Sequence, residues 1–258
     1  MTIDELFSKL GALCNPISLH PNWLLRGQPD TTWSLEPSLT RIVNKRKLNR
    51  VQAIQVEQEA VNKFSITARG VLPLELTATL LPSKDGLDFV GWFSLMQHFS
   101  APTRCLDWSI SPWVALYFAC VDCDDEDGAI WVINHEKATN KAEQALNGKN
   151  FMELIVDPNA IDIVHLTMAL NSNERIEAQQ GRFTISSNPL MNHADFFTGT
   201  DILEKIVIPQ HLKSLSMTRL NSMNINAKTL FPGVDGLGRS IREFYKNWDV
   251  NSQIRYNL

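Results

Sequence analysis

One short stretch of the sequence carries most of the side chains that could do chemistry. Residues 97–109 read QHFSAPTRCLDWS and lie between two strongly apolar segments. Such a connector stays close to the core, so its polar groups are partly buried and need hydrogen-bond partners. Arg104 offers a rigid fork suited to phosphate, and His98 could donate to a ribose or phosphate oxygen. Trp108 and Phe99 could stack on a planar ring.

This stretch has two interpretations, and the sequence leaves both open. In the first, the polar groups form an internal network, in which Arg104 pairs with Asp107 and His98 bonds a backbone carbonyl. In the second, they line a pocket and bind a ligand, with Thr103 and Asp107 beside the arginine.

Two further groups could join such a pocket. Arg26, Gly27 and Gln28 follow a short apolar run, and the glycine allows a tight turn or a close approach to a ligand. The arginine is either a structural anchor or a grip for an anion. Residues 175–183, which include Gln179, place polar side chains before a predicted strand and form either an exposed turn or part of a site.

The charges of the chain restrict its partners. The formal net charge is −4 and the pI is near 5.9, which argues against a protein that coats nucleic acid non-specifically. Five cations nevertheless fall within ten residues: Arg41, Lys45, Arg46, Lys47 and Arg50. They form either a solvated surface or a phosphate-contacting patch, because closely spaced cations raise the local potential.

Several common catalytic and metal-binding motifs are missing. The sequence has no G-x-x-x-x-G-K-[ST] loop, no G-x-S-x-G elbow and no H-E-x-x-H helix. Cys120 and Cys123 have metal-ligand spacing, but no second pair accompanies them and the six histidines never occur in ligand pairs. We therefore expect no metal.

Hydrophobic periodicity predicts the elements that position these groups. Helices are expected over residues 1–12, 51–68, 88–99, 112–119 (with Ser111 as the cap) and 210–223. Strands are expected at 23–25, with a turn at Arg26 and Gly27, and at 129–134, 182–185 and 204–208. This mixture lacks a regular βαβ rhythm and favours an α+β fold, with a mixed or antiparallel sheet flanked by helices.

The N-terminal sequence and the hydropathy predict the location. MTIDELFSKL has no basic segment followed by an apolar core, so we predict no signal peptide. No apolar run approaches the ~20 residues of a membrane span. We expect a cytoplasmic protein without a membrane partner.

Several motifs together resemble one known family, the FRG domain. The opening motif is LRGQ at 25–28, then WSLEPSL at 33–39 and Arg41; Leu25 replaces the phenylalanine of the family name. The central motif comprises QHF at 97–99, PTR at 102–104, LDWS at 106–109 and ALYFA at 115–119. AQQGRF at 178–183 and LFP at 230–232 resemble segments of longer members. The resemblance implies a single FRG-type domain over residues 1–258, with core motifs in 22–120 and strand–helix elements in 170–245.

The order of these features is also similar to ADP-ribosyltransferases. Those enzymes carry an Arg or His on a first strand, a Ser/Thr-rich strand leading into an apolar helix, and a late Glu before another strand. Arg26 fits the first feature, Ser109 and Ser111 fit the second, and Gln179 or Gln180 lies where the glutamate is expected. The resemblance implies an ADP-ribosyltransferase-like architecture with NAD⁺ as substrate and Arg26, His98 and Gln179 in catalytic roles. It implies substrate-binding roles for Gly27, Gln28, Thr103, Arg104, Asp107, Trp108, Ser109 and Ser111.

The function that this second resemblance implies is the transfer of ADP-ribose to an unknown macromolecule, either protein or nucleic acid. A toxin or phage-defence effector of this kind would have an antitoxin or another defence protein as partner. The glutamine leaves three possibilities: a glutamine-based transferase, a carboxylate such as Glu177 or Glu204 in its place, or a site that binds without reacting. The last is the alternative function, a non-catalytic module that binds a nucleotide or a protein. We expect Arg26, His98, Arg104 and Gln179 to converge on one cleft.

Overall fold

The chain forms one six-stranded antiparallel sheet flanked by helices, which confirms the α+β prediction. The structure is a computed structural model and describes residues 1–14, 22–72, 89–167 and 174–246. The sheet has the strand order β4-β5-β2-β1-β3-β6. The strands are β1 (Trp23–Gln28), β2 (Cys105–Ser109), β3 (Gly128–Asn134), β4 (Val164–Thr167), β5 (Gly181–Ser186) and β6 (Leu203–Ile208).

The helices lie before, between and after these strands, singly or in groups. They are α1 (Ile3–Gly11), α2 (Ser38–Lys45), α3 (Arg50–Val71), α4 (Phe89–His98), α5 (Pro112–Cys120), α6 (His135–Leu146), α7 (Phe151–Leu154), α8 (Glu174–Ala178), α9 (Gln210–Ser222), α10 (Ala227–Leu230) and α11 (Val234–Lys246). A 3₁₀ turn covers His193–Phe197. No helix in the described ranges is long and apolar enough to cross a membrane.

Both faces of the sheet are covered. Consecutive strand residues point to opposite faces, and Leu24 and Leu25 of β1 are both buried. Leu25 packs with α5 residues such as Val114, whereas Leu24 packs with Leu35 and Trp108. The core therefore lies in two layers, one on each side of β1.

Helix α5 lies unusually close to β1. Ser111 caps it by accepting a hydrogen bond from the Val114 N–H, and Pro112 occupies its first turn, as predicted. A Cβ atom on Gly27 would lie 1.9 Å from the Ala115 carbonyl oxygen and 2.6 Å from the Ala119 nitrogen. Gly27 is therefore required for helix packing, and any larger residue would push α5 away from the strand.

The pairing between β1 and β2 is much weaker than the rest of the sheet. Six residue pairs join β1 to β3, and five join β2 to β5. A single pair, Leu25 and Ser109, joins β1 to β2. The sheet is therefore nearly divided into two three-stranded halves, and we call this line the seam.

The predicted elements are confirmed apart from the differences that follow, and six helices were not predicted: α2, α6, α7, α8, α10 and α11. The strand at 23–25 continues to Gln28, so the turn predicted at Arg26 and Gly27 is wrong. The segment predicted as a connector contains β2, and β4 has no counterpart among the predicted strands. The helix start predicted at residue 88 lies outside the described residues.

Candidate functional site

A cleft opens beside the seam, where β1 ends. Its volume is about 640 Å³, and we call it the Arg26 cleft. Its walls come from β1, from the segment 29–34, from α2 and from the end of α5. The lining residues that matter below are Arg26, Gln28, Trp33, Arg41, Phe118 and Asp122.

The guanidinium of Arg26 is incompletely satisfied. Its Nη1 donates a 2.7 Å hydrogen bond to the Asp107 carbonyl oxygen across the seam. Its Nε is buried without a partner, and its Nη2 makes no hydrogen bond to any described residue. Burial lowers the pKa of Arg26, the Asp107 carboxylate opposes this shift, and the positive charge of Arg41 adds to it. Such a poorly solvated cation is receptive to an anion.

A second guanidinium and an indole share this cleft. Arg41 is exposed and donates from Nη1 to the Glu36 carbonyl oxygen at 2.7 Å. Trp33 is 49% exposed. Asp122 is the carboxylate of the lining, and it pairs with Arg242 at 3.0 Å and Lys246 at 3.2 Å. The cleft therefore presents two cations and an aromatic face, which suit a diphosphate and a planar ring.

Hydrogen bonds hold the two walls of the cleft in place. Gln28 accepts from Trp131 Nε1 at 2.7 Å and donates to the Ser34 carbonyl oxygen at 3.0 Å. Lys213 is buried, and its Nζ donates to the carbonyl oxygens of Pro29 at 2.6 Å, Asp122 at 3.2 Å and Cys123 at 2.7 Å. Pro29 and Asp122 both line the cleft, so Lys213 ties these two parts of its lining together.

Arg104, in contrast, is sealed inside the protein. Its Nε donates to Glu57 Oε1 at 2.8 Å, and its Nη2 bonds Glu57 Oε2. Its Nη1 donates to the carbonyl oxygens of Ile155, Ser186 and Ser187 at 3.0–3.2 Å. The predicted pairing of Arg104 with Asp107 is wrong, because the buried Glu57 of α3 is its partner. With each guanidinium nitrogen engaged and no exposure, Arg104 cannot bind a ligand without unfolding this network.

Thr103 and Trp108 also belong to the interior. Thr103 is 1% exposed and donates from Oγ1 to Gln97 Oε1 at 3.0 Å. Trp108 is buried and donates from Nε1 to Thr184 Oγ1 at 2.8 Å, which in turn contacts His193 Nδ1 at 2.9 Å. The internal-network interpretation therefore fits both residues, and neither lines the Arg26 cleft.

Ser109, Ser111 and Gln179 lie together beside the Leu25–Ser109 pair of the seam, but their groups are engaged. Ser109 Oγ donates to the Gln179 carbonyl oxygen at 2.8 Å and accepts from the Ser111 N–H at 3.0 Å. The Gln179 side chain donates from Nε2 to the Leu230 carbonyl oxygen at 3.0 Å. Glu204 lies on β6, at the far edge of the sheet, and is too remote to replace Gln179.

His98 and the Asp107 side chain lie near Arg175. Arg175 Nη1 donates to the His98 carbonyl oxygen at 3.5 Å. Burial lowers the pKa of Arg175, and the charge of the exposed Asp107 partly opposes this shift. The His98 Nδ1 is buried without a hydrogen-bond partner among the described residues. Burial, followed by the charge of Arg175, lowers the pKa of His98.

The predicted convergence on one cleft is wrong in part. Of the predicted site residues, Arg26, Gly27 and Gln28 line the Arg26 cleft, whereas His98, Arg104 and Gln179 do not. Trp33 was missed as a site residue, and Arg41 was considered only as part of a cationic patch and not as a partner of Arg26. Their signal was available, because both belong to the opening motif that contains Arg26. In the described ranges, no cluster of three or more His, Cys, Asp or Glu residues could hold a metal.

Comparisons with known proteins give one finding. The search of curated proteins and the search of solved structures found no significant match. The family model of the FRG domain matches residues 21–128. This segment contains β1, β2 and every described residue that lines the Arg26 cleft. Residues 21–128 of this chain are therefore an FRG domain.

Proposed function

We propose that the Arg26 cleft binds NAD⁺ and that the protein is an ADP-ribosyltransferase-like enzyme acting on a macromolecular acceptor. One observation carries this proposal. A guanidinium with unused donors lies at the seam and opens to a cleft that holds a second guanidinium and a half-exposed indole. Arg26 and Arg41 would hold the diphosphate, and Trp33 would stack on one of the rings of the dinucleotide.

The order of the strands supports this proposal. Arg26 lies on β1, Ser109 on β2 and Gln179 just before β5, and these three strands are neighbours in the sheet. Ser109 is the residue that pairs with both Leu25 and Gly181. The three features that the ADP-ribosyltransferase resemblance assigns to distant parts of the chain are therefore adjacent in space.

The reaction breaks the bond between ribose C1′ and the nicotinamide nitrogen. Neutral nicotinamide leaves with the bonding electrons, and an acceptor nucleophile bonds C1′ and loses its proton. The transition state resembles an oxocarbenium ion, as in glycoside cleavage. Gln179 lies outside the lining of the cleft, so its amide oxygen would accept a hydrogen bond from the 2′-hydroxyl only where the nicotinamide ribose extends along the seam toward Ser109. A neutral amide stabilises the developing charge less than a carboxylate. Turnover by this chain is therefore expected to be slow.

The test is NAD⁺ consumption measured by chromatographic separation of nicotinamide. Arg26→Ala is expected to abolish consumption, whereas Arg69→Ala, at an exposed position on α3, leaves it unchanged. Gln179→Glu is expected to raise the rate at least about 10-fold, because it adds a charge where positive charge develops. Full activity in Arg26→Ala would refute the assignment.

A second function, binding without catalysis, is favoured by the hydrogen bonds at the seam. Ser109 and Gln179 use their polar groups inside the protein, and the carboxylate of Asp122 in the cleft is ion-paired. Calorimetry with NAD⁺, ADP-ribose and short oligonucleotides separates the two functions. Tight binding without nicotinamide release, in wild type and in Gln179→Glu, would establish the binding module.

A further inference from the structure

We propose that a cationic ridge beside the Arg26 cleft binds the phosphates of a single-stranded nucleic acid. The ridge consists of Lys45, Arg46 and Lys47, at the C-terminal end of α2. Binding by the ridge is independent of the reaction.

The charges of the ridge are exposed and uncompensated. All three side chains are exposed, and none makes a hydrogen bond or ion pair with a residue in the described ranges. Five other cations in the described ranges are neutralised by ion pairs, namely Arg50–Asp162, Lys137–Asp201, Arg219–Asp4, Arg239–Asp235 and Arg242–Asp122. Three adjacent free cations on a chain of formal charge −4 are therefore a local feature that general basicity does not explain.

The ridge is continuous with the cleft. Arg41 lines the cleft and also belongs to α2. Residues four apart lie on the same face of a helix, about 6 Å from each other, so Lys45 follows Arg41 one turn away. Arg46 caps the end of the helix, and Lys47 adopts the left-handed conformation with φ 55°. A row of cations therefore runs from the cleft wall to the end of α2.

The chemistry of this row favours a nucleic acid over an acidic protein. The cleft selects for phosphate and for a planar ring, through Arg26, Arg41 and Trp33. A polynucleotide repeats both groups at every unit, and an acidic peptide supplies only the charge. A single strand is required because a base of a duplex reaches a cleft of about 640 Å³ only after it is flipped out, which costs a few kcal/mol. Single-strand binders combine cations with exposed aromatic rings in this way.

The test compares two variants of the full chain with equal changes in charge. Lys45→Gln, Arg46→Gln and Lys47→Gln together remove the ridge and leave Arg41 intact. Lys9→Gln, Lys63→Gln and Lys149→Gln remove three scattered exposed lysines. Binding is measured by fluorescence anisotropy with a labelled single strand of about 12 nucleotides, at several salt concentrations. Circular dichroism and urea unfolding check that both variants are folded.

We expect the ridge variant to bind at least about 10-fold more weakly. Its salt slope should fall by about 2, because each phosphate that a cation neutralises on a single strand adds about 0.7 to that slope. The scattered variant is expected to change affinity less than about 2-fold. Equal losses of affinity in the two variants would overturn the proposal, as would ridge-dependent binding of polyglutamate or of duplex that is as tight as binding of the single strand.

NAD⁺ calorimetry on the same proteins separates this inference from the proposed function. The ridge variant is expected to bind NAD⁺ as the wild type does. If the wild type binds no NAD⁺ but shows ridge-dependent strand binding, the proposed function fails and the ridge stands. If NAD⁺ is consumed but strand binding ignores the ridge, the inference fails and the proposed function stands.

Discussion

Arg26 lies on β1 and Arg104 immediately precedes the neighbouring strand β2, yet the surroundings of the two arginines are opposite. Arg104 is fully buried and engages Glu57 and three backbone carbonyls. Within the described ranges, Arg26 makes one hydrogen bond, to a backbone carbonyl, and it faces a cleft. Both belong to motifs that resemble the FRG family. The number of unused donors, rather than the residue type or the motif, distinguishes the arginine that can bind a ligand from the one that holds the fold.

The two arginines should also differ in what their removal costs. Arg104 has a buried counter-charge, so losing either partner leaves an isolated charge in the interior. Arg26 has no carboxylate partner among the described residues, so its burial is only partly offset in the free protein. A site that keeps an unsatisfied cation exchanges stability for binding. The following predictions test this difference, from the largest expected effect to the smallest.

Glu57→Ala is expected to lower the free energy of unfolding by about 3–5 kcal/mol, because Arg104 is left charged and unpaired in the core. Urea unfolding measures the change. Asp201→Ala is the control, since it breaks an exposed ion pair with Lys137 and should cost less than about 1 kcal/mol. Where Glu57→Ala does not fold, Glu57→Leu with Arg104→Met should restore folding. Equal losses of unfolding free energy in Glu57→Ala and Asp201→Ala would contradict a structural role for the buried Arg104–Glu57 pair.

Gly27→Ala is expected to cost about 1–3 kcal/mol or more, because the new methyl group overlaps the backbone of α5 at Ala115. The same change should weaken NAD⁺ binding, since α5 carries part of the cleft wall. Gly11→Ala is the matched control: nothing lies within 4 Å of its added Cβ, and the stability should be unchanged or higher. Unfolding midpoints and calorimetry give both readouts. A neutral Gly27→Ala would show that the helix can shift freely.

The stability of the protein is expected to fall in acid through His193, which lies in the field of both arginines. Burial, then the charge of Arg26, lowers its pKa to about 3. The unfolded chain, with a histidine pKa of about 6.5, binds the extra proton first, so stability falls as pH drops below that value. From about pH 7 to pH 5 the loss is about 2 kcal/mol. Urea unfolding at both pH values should show this loss reduced in His193→Asn; an unchanged pH dependence would refute the assignment.

Arg26→Met is expected to change the free energy of unfolding by less than about 1 kcal/mol, because one hydrogen bond is lost while an unsatisfied buried charge is removed. Ligand binding by the cleft should nevertheless be abolished. Urea unfolding and NAD⁺ calorimetry on the same sample test both statements. A loss as large as that of Glu57→Ala would show that Arg26 is structural, and the comparison between the two arginines would fail.

Sequence patterns identified most elements, because hydrophobic periodicity and capping residues act locally. Ser111 and Pro112 mark the start of α5 without any tertiary information. The sequence pattern did not identify β2, because the strand has only five residues and Asp107 and Ser109 interrupt its apolar side chains. A short strand inside a polar connector is specified by its neighbours, β1 and β5, rather than by its own pattern.

The site was harder to predict than the fold. The sequence analysis treated Arg104 and Arg26 alike as candidate ligand-binding residues, because residue type cannot reveal a partner 47 residues away such as Glu57. Gly27 was assigned to a turn or a ligand, although its role depends on the position of α5. The opening motif itself contained the better clue, because Arg26, Trp33 and Arg41 lie on one cleft.

The family match ends at Gly128, where β3 begins, and this boundary cuts through the sheet. A fragment excised at that point would lack β3, which is the main partner of β1, and β5, which is a partner of β2. It would also strip Arg104 of the carbonyls of Ile155, Ser186 and Ser187. Exposed strand edges, together with a buried cation that has lost part of its hydrogen bonds, favour aggregation. The segment that matches the family model is therefore smaller than the unit that can fold. Expression trials should retain the chain that follows residue 128.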